Sequence, residues 1–312
     1  MDSIDILRVS NLPPFLISDL QAAYMVHDNA HITDPDALKR VRGIVGGGES
    51  KVDGKLLSLF PNVEIISVFG VGYDGIDVQA AKDRGIVVTH TPDVLNDDVA
   101  DLALGLLLSV ARHIPQADRF VRNNDWLDGP FPLTKKLTGA RLGIVGLGRI
   151  GQAIAKRAQA FDMKISYTAR SAKADLPYPY YPSAKALAAE VDFLLAITPG
   201  GDGTRGMINA EVFEALGPKG YFVNVARGSV VDQPALIDAL KHKRIAGAGL
   251  DVYLDEPRVP AELRALQNVV LTPHMASGTL ETRRAMADRA LANLNAHFKG
   301  LPLPSAVPEC RT

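Results

Sequence analysis

The chain has little cysteine and almost no net charge, and each scarcity removes a class of protein. One cysteine, Cys310, among 312 residues can form no internal disulfide and has no cysteine partners for a zinc site. That usage points to a reducing cytoplasm. A formal net charge of −1 argues against an extended nucleic-acid surface. Long apolar runs are missing too. The longest nearly uncharged one, Leu102–Ala111, is about half the ~20 residues a membrane crossing needs, and reads as a buried helix. The opening MDSIDILRVS carries Asp2, Asp5 and Arg8 and lacks the basic-then-apolar order of a secretory signal. Heptads, low-complexity tracts and short-period repeats are absent.

What is present is an alternation of short β-rich apolar segments with helical stretches, the pattern of a parallel α/β protein. The length suffices for two domains, each with its own core. In the first third the pattern predicts strands near Ile4–Val9, Gly43–Gly46, Glu64–Val68 and Ile86–His90, with helices over Asp19–Met25 and Val78–Asp83. Pro92–Asp98 reads as a boundary, with Asn96, Asp97 and Asp98 as candidate N-caps. A long helix, Val99–Val121, should follow, broken or kinked at Pro115. Further strands are predicted at Leu142–Val145, Ile165–Tyr167, Phe193–Ala196, Tyr221–Asn224, Gly247–Leu250 and Val269–Leu271. The pattern leaves open whether the last helix, Leu280–Phe298, finishes this series or returns to the first. Pro177–Pro182 (PYPYYP) reads as a local extended loop.

The segment RLGIVGLGRIGQAIAKRAQAF places Gly146, Gly148 and Gly151 between a strand and an amphipathic helix, whose apolar face carries Ile150, Ile154, Ala158 and Phe161. The first glycine allows a tight turn, the second lets the backbone approach a pyrophosphate, and the third lets helix and strand pack closely. The helix N-terminus then offers unpaired N–H groups and a positive dipole end to the anion. The alternative is a tight turn without a ligand. Selectivity for NAD usually rests on an acidic residue at the end of the next strand. Here KISY is followed by Thr168, Ala169, Arg170 and Ser171, with Lys173 close by and no carboxylate. Arg170 suits bidentate pairing with a 2′-phosphate, so NADP(H) is predicted over NAD(H); otherwise Arg170 is a solvated loop charge. The predicted cofactor set is Gly146, Leu147, Gly148, Arg149, Ile150, Gly151, Thr168, Arg170 and Ser171.

Three polar residues each follow a short apolar run downstream. Arg227 lies in FVNVARGSVVD, Glu256 in AGLDVYLDEP and His274 in VVLTPHMAS. Parallel sheets bind ligands at the carboxyl ends of their strands. An arginine there can hold a carboxylate and polarise a carbonyl. A histidine can lend a proton to a developing alkoxide, and a glutamate beside it would orient the ring and favour its charged form. Each has a duller reading: a surface ion pair for Arg227, a loop end for Glu256 before Pro257, a structural role for His274.

The ordered motifs GLGRIG, NVARGSVVD, GLDVYLDEP and LTPHMAS resemble the D-isomer-specific 2-hydroxyacid dehydrogenase family over essentially the whole chain. The resemblance implies an α/β fold of two doubly wound parallel-sheet domains, a Rossmann cofactor domain inserted into a flavodoxin-like substrate domain. The expected division is 1–97 and 280–312 for the substrate domain and 98–279 for the cofactor domain. It implies Arg227, Glu256 and His274 as the catalytic set, Val71 and Gly72 of ISVFGVGYDGID as main-chain donors to a substrate carboxylate, and Arg227 and His274 as substrate contacts. Thr198, Ala226 and Asp251 join the cofactor set, with Asp251 contacting the nicotinamide carboxamide. Gly46, Gly47 and Gly48 are expected as a further wall. Trp126 is either packing or a neighbour of a partner subunit's site, since family members are usually homodimers joined through the cofactor domains.

Within the family, the missing acidic residue after KISY resembles the NADPH-dependent glyoxylate/hydroxypyruvate reductases. Phosphoglycerate dehydrogenases usually keep that residue, and formate dehydrogenases carry glutamine in place of Glu256. The expected activity is therefore reduction of a small 2-ketoacid to a D-2-hydroxyacid. The alternatives are a reductase of bulkier 2-ketoacids, such as hydroxyphenylpyruvate or 2-ketogluconate, and a non-catalytic nucleotide-sensing regulator.

Overall fold

Eleven short segments form parallel strands in the computed structural model, which describes residues 4–29, 32 and 34–311. Asp2 therefore lies outside the described residues. The chain divides into two compact units, Met1–Leu95 with Gly278–Thr312 and Asn96–Ser277.

The first unit runs β1 (Asp5–Arg8), α1 (Pro14–Ala23), β2 (Met25–Asp28), α2 (Pro35–Arg40), β3 (Val41–Gly47), α3 (Gly54–Leu59), β4 (Ile65–Phe69), α4 (Val78–Asp83) and β5 (Val87–Thr89). Its sheet has the order β2-β1-β3-β4-β5, the flavodoxin-like doubly wound arrangement. The helix expected over Asp19–Met25 starts earlier, because Pro14 occupies the first helical position, where a missing N–H costs nothing. It also ends earlier, because Met25 opens β2. That strand, α2 and α3 escape the sequence pattern: β2 is a half-exposed edge strand, and both helices have only six residues. α3 and α4 supply Leu57 and Ala81 to a core with Ile44, Ile66, Val68 and Val88.

The second unit begins with α5 (Asn96–Arg112) and α6 (Ile114–Arg122). The expected break at Pro115 falls two residues earlier, at His113, whose φ of 52° is left-handed. Pro115 sits in the first turn of α6. Then follow β6 (Arg141–Val145), α7 (Arg149–Gln159), β7 (Lys164–Thr168), α8 (Ala184–Ala188), β8 (Phe193–Ala196), α9 (Ala210–Leu216), β9 (Tyr221–Asn224), α10 (Gln233–Lys241), β10 (Gly247–Leu250), α11 (Ala261–Ala265) and β11 (Val269–Leu271). The sheet order is β11-β10-β9-β8-β6-β7. Tyr180 adds a one-residue parallel bridge to Tyr167 of β7. Counting it as the third strand of the unit, the order becomes the 3-2-1-4-5-6 series of dinucleotide-binding sheets with one strand more. PYPYYP is thus more than a loop. α5 packs on β9 and β10 and against α7, while α8 to α10 cover the other face through Leu187, Phe213 and Leu236.

The last helix, α12 (Leu280–Phe298), belongs to the first unit and packs on β4. Ser67 points towards it and donates to the Ala290 carbonyl, while its neighbours Ile66 and Val68 face the opposite core.

Candidate active site

The glycine turn after β6 meets three different steric demands. Gly146 has φ 101°, and a Cβ there would lie 2.9 Å from the main chain of Thr198. A Cβ on Gly151 would run into the Gly146 carbonyl, so helix and strand touch through bare backbone. Around Gly148 nothing lies within 4 Å of a Cβ position, which leaves an open approach at the N-cap of α7. No side chain caps that end. These features fit a pyrophosphate cradle: bare N–H groups of an eleven-residue helix, an open flank and no obstructing Cβ. The Gly146 amide donates to the Thr168 carbonyl at 2.9 Å, tying the cradle to the end of β7. Arg149, Arg170 and Ser171 are exposed, whereas Leu147 and Thr168 are buried. Ile150 and Phe161 are half-buried, Phe161 beyond the helix end.

Beyond β9, β10 and β11 the chain brings Arg227, Glu256 and His274 into one neighbourhood. His274 Nδ1 lies 2.6 Å from Glu256 Oε2. The other oxygen, Oε1, accepts the Tyr253 amide at 2.9 Å, so the carboxylate is held from both sides. Burial pushes the Glu256 carboxyl up. The His274 ring, the Tyr253 amide and the charges of His274 and Arg227 outweigh that and hold it below the usual carboxylate range. Glu256 is therefore an anion at neutral pH, aimed at the histidine.

His274 occupies a left-handed turn, φ 49°, costly for a non-glycine residue unless its surroundings impose it. Asp251 imposes it. This wholly buried carboxylate accepts Thr272 Oγ1 at 2.6 Å, the Met275 amide at 2.9 Å and the Ala276 amide at 3.0 Å, and its own carbonyl accepts the His274 amide. Arg227 is set by Asn224, which is buried at the end of β9. Asn224 Oδ1 accepts the Ala226 amide and its Nδ2 donates to the Arg227 carbonyl. Tyr253 donates its hydroxyl to the Leu250 and Thr272 carbonyls, bracing two strand ends. Sequence reasoning passed over Asn224, Tyr253 and Thr272. Asn224 left a signal, a polar residue closing the buried strand YFVN.

In the first unit, Val71 and Gly72 lie just past β4. His90 Nδ1 meets the Val71 carbonyl at 3.0 Å. A Cβ on Gly48 would fall on the Gly72 carbonyl, and one on Gly46 would crowd Val9 and Ser50. Gly48 thus lets two backbone segments touch, while Gly46 makes room for the Val9 and Ser50 side chains. Trp126 is 66% exposed in a short 3-10 turn, Asp125–Asp128, of the second unit.

A dinucleotide cradle and an ionised carboxylate–histidine pair in one doubly wound unit define a nicotinamide-dependent oxidoreductase. Residues 104–276 match the family model described as D-isomer specific 2-hydroxyacid dehydrogenase, NAD binding domain, and the chain belongs to that family. It is 45% identical over 314 residues to the hydroxyphenylpyruvate reductase of Plectranthus scutellarioides, covering 98% of this chain and 100% of that one. It is likewise 45% identical over 312 residues to glyoxylate/hydroxypyruvate reductase A of Arabidopsis thaliana, with 98% and 100% covered. A crystal structure of the NADPH-dependent glyoxylate/hydroxypyruvate reductase of Sinorhizobium meliloti, in complex with NADP and malonate, is similar with a TM-score of 0.94 and 42% identity. That match covers 99% of this chain and 98% of that one. The fold is the expected one of two parallel-sheet α/β domains. Among the described residues no helix is long and apolar enough to cross a membrane.

Proposed function

We propose that the chain reduces small 2-ketoacids, glyoxylate and hydroxypyruvate among them, to D-2-hydroxyacids with NADPH. The observation that carries this reading is the 2.6 Å contact between His274 Nδ1 and Glu256 Oε2, in the unit that also bears the glycine cradle. A bound reduced nicotinamide supplies the hydride received by the substrate C2. Glu256 takes Nδ1, so the proton given to the carbonyl oxygen is assigned to Nε2 of His274. The ionised Glu256 favours the imidazolium that gives up this proton. Arg227 holds the substrate carboxylate through its planar fork and polarises the adjacent carbonyl. Asp251, proposed to meet the nicotinamide carboxamide, also shapes the turn that carries His274.

The cofactor assignment rests on the cradle residues 146–151, with Thr198 and Ala226 at the neighbouring strand ends. The NADPH preference rests on the end of β7, where Thr168 leads to an exposed Arg170 and Ser171 with no carboxylate before Asp175. The complex of the Sinorhizobium meliloti relative with NADP supports it. In the first unit, the main-chain amides of Val71 and Gly72 are proposed donors to a substrate carboxylate, and 1–97 with 280–312 is proposed as the substrate domain. A homodimer through the cofactor domains is also proposed. Exposed Ile114, Val121, Trp126, Leu127 and Leu133, gathered in one stretch of the second unit, support it.

The Plectranthus relative favours a second reading, reduction of bulkier 2-ketoacids such as hydroxyphenylpyruvate. The deciding experiment follows loss of nicotinamide absorbance with glyoxylate, hydroxypyruvate, hydroxyphenylpyruvate and 2-ketogluconate, comparing NADPH with NADH. Fastest turnover with a small ketoacid and NADPH is expected. Preference for NADH would sink the role of Arg170, and preference for hydroxyphenylpyruvate would install the second reading. Silence with all four would point to a nucleotide-sensing regulator.

A further inference from the structure

β7 ends at the loop proposed to read the cofactor's 2′-phosphate, and one buried side chain within the strand reaches back to hold that loop. Tyr167 is 1% exposed, yet its hydroxyl is not idle: it accepts the Lys173 amide at 2.7 Å. The span from Ala169 to Ser171 thus lies between β7 and a fixed point six residues after Tyr167. The segment Pro177–Pro182 closes the arrangement from outside. The Tyr167 amide donates to the Pro179 carbonyl at 2.9 Å, and the Tyr181 amide donates to the Tyr167 carbonyl at 2.8 Å. The ring of Tyr180 stands edge-on to that of Tyr167, centroids 5.5 Å apart, and its hydroxyl reaches the Ala169 carbonyl at 3.5 Å. The loop is tied at its start, at its middle and at its return. Arg170 itself is exposed and, among the described residues, forms no ion pair, so nothing but its backbone aims it.

We propose that Tyr167 is a positioning residue for cofactor choice: its hydroxyl, with the Tyr180 segment behind it, preorganises the 169–173 loop so that Arg170 meets a 2′-phosphate without first ordering the chain. This rests on the NADPH reading above. A ligand that reaches a preformed loop avoids the entropy of ordering it, and in the NADPH reading it is the 2′-phosphate, absent from NADH, that pairs with Arg170. The hydroxyl should therefore matter for NADPH and not for NADH. Packing of the ring alone would treat the two alike.

The test is Tyr167→Phe, which keeps the ring and removes the acceptor. Dissociation constants for NADPH and NADH, measured by nicotinamide fluorescence, need no substrate. Tyr167→Phe should weaken NADPH about fivefold, the scale of one net hydrogen bond, and leave NADH unchanged. In an Arg170→Ala background it should have no further effect on NADPH. If Arg170→Ala weakens NADPH while Tyr167→Phe does not, the positioning role is overturned and the cofactor reading stands. If Arg170→Ala leaves NADPH unchanged, the reading and the inference fall together. Equal weakening of both nucleotides by Tyr167→Phe would reduce the hydroxyl to general stability and overturn the proposal.

Discussion

The two units share an architecture and use their strand ends differently. In the second, the carboxyl ends present side chains: Arg227 after β9, Glu256 after β10 and His274 after β11. In the first, the ends of β3 and β4 present backbone, with glycines at 46–48 and at 70 and 72, and a Cβ on Gly48 would strike the Gly72 carbonyl. A side chain at a strand end must be oriented, and Asp251, Asn224 and Tyr253 do so with buried hydrogen bonds. A backbone amide at a strand end needs only the absence of a neighbouring Cβ. One sheet therefore surrounds its ends with polar supports, and the other with glycine.

The hardest blow to this contrast is His274→Ala. Turnover should fall about a hundred- to ten-thousandfold while NADPH affinity holds, as initial rates and a fluorescence titration would record. Near-normal turnover would remove the proton-donor role and leave the second unit no more chemical than the first.

The glycines come next. Gly151→Ala forces a methyl group into the Gly146 carbonyl and should weaken NADPH about 10- to 100-fold. Gly48→Ala, in the other unit, should raise the ketoacid KM by about tenfold and spare NADPH binding. Loss of NADPH affinity in the Gly48 variant would erase the division of labour.

Unfolding should separate the units as well. The first is built from two stretches of chain, and buried polar groups fasten the returning stretch. Asn293 is wholly buried; its Oδ1 accepts the Ser305 amide at 3.1 Å, and its Nδ2 donates to Ser305 Oγ at 3.0 Å. Ser305 Oγ in turn donates to the His90 carbonyl at 2.6 Å. Asn293→Ala should destabilise the first unit by about 2–3 kcal/mol in denaturant unfolding, with hydrogen exchange in the second unit unchanged. Loss of protection in both units together would mean that they unfold as one.

The smallest effect concerns acid. Arg42 grips Glu64 through Nε at 2.6 Å and Nη2 at 3.1 Å, and His297 reaches it at 3.1 Å. The Arg42 bonds hold the Glu64 carboxyl below the usual range against the opposing pull of burial, with His297 assisting. A depressed carboxylate stabilises the fold above its unfolded pKa, and that stabilisation is lost as pH falls through the folded value. Glu64→Gln should thus cost about 1 kcal/mol at neutral pH, solvent screening of this part-exposed pair included. The gap from the parent should close below about pH 4. A gap that persists in acid would assign the effect to packing.

Much of the second unit could be read from the chain because its information is local. Phe193–Ala196, Tyr221–Asn224, Gly247–Leu250 and Val269–Leu271 are buried apolar runs between turn residues, and the structure keeps those bounds. The strand–glycine–helix motif needs only neighbours in sequence. Arg227, Glu256 and His274 stood out for the same reason, each polar just past an apolar run. Their supports were harder to read: Asp251 entered only through the family resemblance, as a cofactor contact, and Asn224 and Tyr253 were passed over, because all three act through bonds to other strand ends that no period records. In the first unit β2 was missed because an edge strand with exposed residues has no apolar signature.

The sequence by itself determined the α/β alternation, the glycine turn, the missing carboxylate after β7 and the charged residues at the strand ends. Local sterics and side-chain period are enough to specify these. The residue pattern left the destination of α12 open, and only the family resemblance implied its return; the tertiary structure seats it on β4, lends Tyr180 of PYPYYP to the edge of the second sheet and brings Glu256 to His274. Those outcomes depend on which distant surfaces bury one another, and that choice is made by the packing of the whole chain.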